Sequence, residues 1–239
     1  MDLRNIVIIL YQPQDVVNVA AIIRVMSNFG LTDLRLVDPA AFDPYRIEGI
    51  AHHTGAIIAG ARRFASLAEA TLDCDYILGT TGRPRAAQRN ILTPREAAPQ
   101  LRATAGKAAV LFGPEQDGLP NDALDRCHGV ITIPTSPENR SLNLAQAALV
   151  ICYELWMAEA PAGAAPDITV AAGPDREAMF GSLAELLRTL YPGTTEARLS
   201  SALSRLRTML MRAAPRTEEA MALTNLCRHA VRALRRIAD

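Results

Sequence analysis

The residues best able to do chemistry fall in four short stretches. The first is Val17–Phe29, where Val19, Ile22, Ile23 and Met26 make one apolar helical face and Arg24 and Asn28, four apart, lie on another. Asn18 precedes that face, and Arg24 is a permanent cation suited to a phosphate or ribose oxygen. By residue type alone the same pattern also describes an ordinary solvated face. The second stretch is Gly113-Pro114-Glu115-Gln116-Asp117-Gly118-Leu119, directly after the apolar run 108–112. Glycines at 113 and 118 permit backbone turns and close approaches that a side chain would block. A turn past the carboxyl end of a buried strand is where open α/β sheets bind ligands. It carries neither a P-loop Gly-Lys-Ser/Thr nor a dinucleotide GxGxxG pattern. The third runs from Ile131 through Ile133 and two prolines to Ser141-Leu142-Asn143-Leu144, then into an apolar helix. A serine there predicts an N-cap, its hydroxyl accepting from a free helix N–H. The fourth is Gly79-Thr80-Thr81-Gly82-Arg83-Pro84-Arg85 through Arg89, a loop with three arginines in seven residues. Both a solvated loop and an RNA-facing loop fit it.

These stretches need a scaffold. Short β-branched runs at Asn5–Tyr11, Leu34–Val37, Tyr76–Gly79, Ala108–Phe112 and Val130–Ile133 predict strands buried on both faces. Helices are predicted between them at Val17–Phe29, Ser66–Leu72, Pro94–Thr104, Asn121–Arg126 and Leu142–Glu159. Such alternation specifies a parallel sheet with helices on both sides. Small residues and three prolines over 160–175 predict a linker. Three helices follow, at Arg176–Leu190, Thr195–Met211 and Thr217–Ile237. Leu199, Leu203, Leu206 and Leu210 would form a single buried stripe on the middle one. Arg228, Arg232, Arg235 and Arg236 share a face of the last, with no acid interleaved among them. A solvated face and a phosphate contact both fit that pattern. The helix 142–159 is apolar on more than one side, with Leu144, Ala147, Ala148, Ile151 and Leu155 on one side and Val150, Tyr153 and Trp156 elsewhere. Such a helix must bury more than one contact, inside the chain or against a second copy.

Composition narrows the classes. Of the 239 residues 49% are hydrophobic, enough for a real core, and no apolar run is long enough for a transmembrane helix. The four cysteines stand far apart and predict isolated buried thiols in a reducing, cytoplasmic setting. The sequence shows no metal-ligand spacing, and the neighbouring His52 and His53 predict only a solvated helix start. Net charge is zero, which argues against indiscriminate nucleic-acid binding. It is unevenly spread: residues 161–239 hold 11 arginines against 8 acidic residues, and 1–160 hold 14 basic against 17 acidic.

Taken in order, Asn18 with Arg24, Gly113 to Leu119, and Ser141-Leu142-Asn143-Leu144 resemble the three signature motifs of the SpoU/TrmH family of RNA ribose 2′-O-methyltransferases, within the SPOUT superfamily. The resemblance spans residues 3–159, and Ala20 stands where the family often has glycine. It implies an α/β fold with a C-terminal trefoil knot in a methyltransferase domain at 1–160, a linker at 161–175 and a helical, RNA-binding extension at 176–239. The implied cofactor is S-adenosylmethionine, held by Thr80, Thr81, Gly82, Gly113, Glu115, Gly118, Ile133, Ser141, Leu142 and Leu144, with Glu115 organising its loop. Arg24, Ser141 and Asn143 are the implied catalytic residues. Asn18, Arg83, Arg85, Arg89, Arg228 and Arg232 are the expected RNA contacts. The resemblance also implies a homodimer, with Arg24 of one chain facing the pocket of the other, and no metal or membrane partner. Within the family the chain is most similar to the TrmJ subgroup, which implies methylation of the ribose of nucleotide 32 in the tRNA anticodon loop. Two other expectations stand beside it: another ribose in rRNA or tRNA as target, or a nonenzymatic RNA-binding protein of the same fold.

Overall fold

A computed structural model describes residues 3–40, 42–82, 90–139, 141–158 and 170–238. The described strands are β1 (Ile6–Tyr11), β2 (Asp33–Val37), β3 (Arg62–Phe64), β4 (Cys74–Thr80), β5 (Ile91–Leu92), β6 (Lys107–Phe112) and β7 (Gly129–Ile131). They form one sheet in the order β3-β2-β1-β6-β4-β7-β5, with every pairing parallel. Strand alternation sorts the core into two layers. Ile6, Ile8, Leu10, Ala108, Val110 and Phe112 face one cluster, while Val7, Ile9, Ala109 and Leu111 face the other. The first face is covered by α1 (Val16–Asn28), α2 (Pro44–Ile50), α3 (Gly55–Gly60), α5 (Pro94–Ala103) and α7 (Leu144–Met157). The second carries α4 (Leu67–Ala70) and α6 (Asn121–Leu124). The expected parallel sheet is therefore present.

The sequence reading missed β3, β5, α2 and α3. The two strands are three and two residues long, too short for a period. Helix α2 did announce itself: Asp43 accepts from the backbone of Tyr45 and Arg46, and Pro44 sits in the first turn. His52 and His53 lie in the turn between α2 and α3, not at a helix start, because His53 takes φ 63°, a left-handed conformation that a helix excludes.

The amino ends of the strands are tied by charge. Arg35 is 1% exposed. It forks onto Asp73 and Asp33, with Nη2 at 2.9 and 3.2 Å, and donates to the Ala70 carbonyl at 2.7 Å. Lys107, the sole lysine of the chain, reaches the same two carboxylates at 3.1 Å. A buried guanidinium is tolerated only when so fully partnered. His128, just before β7, accepts from the Ile77 amide at 3.0 Å and so pins β7 to β4. Its ring lies against Tyr76 at 5.1 Å between centroids. Burial, reinforced by the charge of Arg176, pushes its pKa down to about 3. All four cysteines are free and buried.

The C-terminal helices are α8 (Gly173–Leu190), α9 (Glu196–Ala213) and α10 (Thr217–Ala238). Their own core comprises Ala171, Met179, Phe180, Leu183, Met211, Ala220 and Cys227. Helix α8 begins at 173, inside the expected linker. Val170 and Ala171 bond to the backbone of Arg216 and Pro215, and Pro174 starts the helix. The start of α8 is pressed against the sheet domain: a Cβ on Gly173 would fall 1.8 Å from the Leu72 carbonyl oxygen. Arg176, 4% exposed, donates to the Cys74 carbonyl at 2.7 Å and the Ala171 carbonyl at 2.6 Å. The leucine stripe of α9 is only partly sunk. Leu199 is buried, but Leu203, Leu206 and Leu210 are half-buried, because α9 packs along the outside of the helical layer. No helix among the described residues is long and apolar enough to cross a membrane.

Candidate active site

The carboxyl ends of β6, β4 and β7 open onto a cleft of about 760 Å³. Its rim comes from three strand-end loops that sequence order keeps far apart and sheet order makes neighbours.

The loop after β6 is built by its glycines. A Cβ on Gly113 would fall 2.3 Å from the Leu119 amide nitrogen, a backbone clash that no side chain can relieve. Gly118 takes φ +67° and donates to the Pro114 carbonyl at 2.9 Å, closing the turn. Glu115 projects across the cleft to the start of α1. Its Oε1 accepts from the side chain of Asn18 at 3.0 Å and from the Asp15 amide at 3.3 Å, and its Oε2 from the Gln14 amide at 3.2 Å. Every contact Glu115 makes here is as an acceptor holding backbone and amide groups in place.

The loop after β7 enters α7 through Asn143. Its Oδ1 accepts from the Ala145 and Gln146 amides at 2.9 and 3.4 Å, and Gln146 returns the bond to the Asn143 amide at 3.3 Å, a reciprocal capping box. The expectation that Ser141 is the N-cap is therefore corrected. Helix α7 starts at Leu144, two residues later than expected, and the cap is Asn143; Ser141 lies exposed on the cleft wall. Asn143 had the better acceptor geometry because it directly precedes the first helical residue. Its Nδ2 donates to Asn18 Oδ1 at 3.0 Å. One chain of hydrogen bonds thus runs from the α7 amino end through Asn143, Asn18 and Glu115 to the backbone entering α1. It joins side chains 125 and 97 positions apart in sequence.

Thr80, Thr81, Gly82, Gly113, Glu115, Gly118, Ile133, Ser141, Leu142 and Leu144 all line the cleft, as do Asn18 and Asn143. Thr80 donates to the Leu111 carbonyl at 3.1 Å and the Thr81 amide to Ile131 at 3.0 Å, so the β4 loop is tied to both neighbouring strands. The floor includes residues that the sequence did not assign to the cofactor. Leu119, Asn121 and Leu124 follow from the start of α6, and Ala147 and Ile151 continue the face of Leu144 at i+3 and i+7. That spacing was legible in the sequence.

Arg24 does not line this cleft. It lies exposed on α1 and donates through Nη1 to the His52 carbonyl at 2.5 Å. The loop arginines Arg83, Arg85 and Arg89 lie outside the described residues. Arg228 and Arg232 are exposed on α10, with Arg232 donating to the Arg228 carbonyl at 3.2 Å. No acid interleaves these arginines on α10 itself, but another helix supplies one: Glu185 of α8 pairs with Arg235 at 2.8 Å. A reading confined to α10 could not see a carboxylate supplied by another helix.

A parallel α/β sheet with a glycine-built cleft at its strand ends, closed by linked loops, is the arrangement of an RNA methylase of the SpoU class. The chain belongs to the SpoU rRNA Methylase family, whose model matches residues 5–153. Over nearly its whole length it is similar to the tRNA (cytidine/uridine-2′-O-)-methyltransferase TrmJ of Salmonella typhimurium, 33% identical over 231 residues, covering 91% of this chain and 92% of that protein. It is also similar to an uncharacterised tRNA/rRNA methyltransferase of Haemophilus influenzae, 40% identical over 158 residues, covering 65% of this chain and 64% of that protein. The crystal structure of TrmJ from Z. mobilis ZM4 superimposes with a TM-score of 0.85 at 32% identity, covering 93% of this chain and 97% of that one. That likeness extends through the C-terminal helices.

Proposed function

We propose that this chain methylates the ribose 2′-hydroxyl of a cytidine or uridine in tRNA, at nucleotide 32 of the anticodon loop, using S-adenosylmethionine and working as a homodimer. The observation that carries the reading is the Glu115–Asn18–Asn143 relay, which locks the three motif loops around a single cleft. The similarity to tRNA 2′-O-methyltransferases over nearly the full chain supports tRNA as the substrate.

The cleft suits an adenosine-bearing cosubstrate. Its loop after β6 folds tightly on itself at Gly113, where a Cβ would meet the Leu119 amide nitrogen, and the lining sets polar Thr80, Thr81 and Asn143 beside apolar Ile131, Ile133 and Leu144. Residues 80–82, 113–118 and 131–144 would hold it. When bound, the sulfonium supplies an electrophilic methyl group. Ser141 and Asn143 orient the ribose, and Arg24 holds the adjacent phosphate. A guanidinium stays protonated, so the proton of the 2′-hydroxyl leaves to that phosphate or to water rather than to Arg24. Because Arg24 stands outside the cleft of its own chain, it serves the cleft of a second copy. Leu149, Tyr153 and Trp156, exposed on α7, offer that copy an apolar face. In this reading residues 1–160 are the catalytic domain, knotted in its C-terminal part, and 176–239 bring Arg228 and Arg232 to the RNA.

Labelled methyl transfer to total tRNA and to rRNA, with the product nucleotide mapped, tests the assignment. Label at a pyrimidine 32 that disappears with a 2′-deoxy substrate is the expected result. Label confined to rRNA would transfer the chain to another branch of the family.

A further inference from the structure

We infer that helix α9 sets the geometry of the cleft by clamping α6, an inference that rests on the cofactor reading above. Asp125 ends α6 and is 3% exposed. Its carboxylate is gripped by two hydroxyls one turn apart on α9: Ser204 donates to Oδ2, and Thr208 to Oδ1 at 2.7 Å. Thr208 also lies 3.0 Å from the Ser204 carbonyl, but its single proton goes to the nearer, charged acceptor. The next residue repeats the tie. Arg126 pairs with Glu177 of α8 at 2.9 Å, and Arg207 of α9 closes on the same carboxylate at 3.0 Å while stacking on Phe180 at 3.9 Å.

The other side of α6 is the cleft itself, where Leu119, Asn121 and Leu124 form the wall. Leu119 and Leu124 also press on Gly79, where an added Cβ would meet them at 3.1 and 2.9 Å. Gly79 directly precedes the Thr80–Gly82 wall. Four residues of helix therefore stand between the hydroxyls of α9 and two of the three cleft walls. A helix this short has no stability of its own and takes its position from what grips it. Asp125, Ser204 and Thr208 are positioning residues, and the C-terminal helices do more than extend the RNA surface.

The test uses the full-length protein with S-adenosylhomocysteine as probe. The double variant Ser204→Ala/Thr208→Val should bind it roughly tenfold more weakly, about 1.4 kcal/mol. The KM for S-adenosylmethionine should rise more than kcat falls. Thr208→Ser, which keeps the hydroxyl, should bind like the wild type. If circular dichroism shows helix loss in the double variant, Thr208→Val alone, a near-isosteric change, carries the measurement. A folded variant with unchanged affinity would overturn the clamp. Wild-type protein that fails to bind the probe would instead refute the cofactor reading. Hydrogen exchange over residues 113–124 then still decides the clamp, which requires faster exchange in the variant.

Discussion

Replacing Asn143 separates two jobs that one side chain performs. Its oxygen caps α7, and its amide nitrogen holds Asn18, which in turn holds Glu115. Asn143→Ala removes both. An N-cap contributes about 1 kcal/mol, and an exposed amide–amide hydrogen bond about 0.5 kcal/mol. A loss of about 1.5 kcal/mol in a chain of this size lowers Tm by roughly 3–6 °C. Asn143→Asp keeps the cap and even suits the helix dipole, so Tm should stay within about 2 °C of wild type. It cannot donate to Asn18 Oδ1. Asn18 could flip to serve the new carboxylate, but it would then turn its own oxygen toward Glu115. The relay therefore breaks in either orientation, and the start of α1 is released from the cleft. The assay is paired: calorimetric Tm for stability, and methyl transfer to tRNA for function. Asn143→Asp should be stable and strongly impaired, with Asn143→Ala both impaired and less stable. An Asn143→Asp protein with wild-type turnover would refute the claim that the relay matters to the site. An Asn143→Ala protein with unchanged Tm would refute its role as a cap.

Four further outcomes are expected. Gly113→Ala should abolish binding of S-adenosylhomocysteine in calorimetry, because the new methyl meets backbone at 2.3 Å; retained affinity would show that the loop can re-form. Mixing inactive Arg24→Ala with inactive Ser141→Ala protein should restore methyl transfer through heterodimers, whereas a fully active monomer by light scattering would exclude a shared site. Arg228→Glu with Arg232→Glu should weaken RNA binding and flatten its salt dependence while leaving S-adenosylhomocysteine affinity unchanged; an unaltered salt slope returns that face to solvent. His128 has an ordinary pKa of 6.5 and a folded value of about 3. The unfolded chain therefore takes up a proton that the folded chain refuses, and stability falls as the pH drops from 6.5 toward 3. His128→Asn keeps an acceptor for the Ile77 amide and removes the titration, so its Tm should fall less over that range; parallel Tm–pH curves would contradict this.

Much of the scaffold was readable from neighbouring residues, because what shapes it acts over a few positions. Period 2 in the strands and period 3.6 in α1 name the buried faces, and Val19, Ile22, Ile23 and Met26 are buried together. Glycines 113 and 118 announced a tight turn because few other residues tolerate such backbone approaches or a φ of +67°. The three loops lie on one cleft because they all leave carboxyl ends of a parallel sheet, a placement that the element pattern alone predicts. What only the tertiary structure decided are pairings between residues that sequence holds apart. The placement of β6 beside β1 brings Glu115 to Asn18, and α7 against α1 brings Asn143 there too. Glu185 answers Arg235, Arg24 rests on His52, and Asp125 lies between Ser204 and Thr208. None of these partners shares a periodicity with the other, since each pair is set by the order in which strands and helices stack. Residue type states what each side chain is able to bond; the stacking of elements chooses which partner it meets.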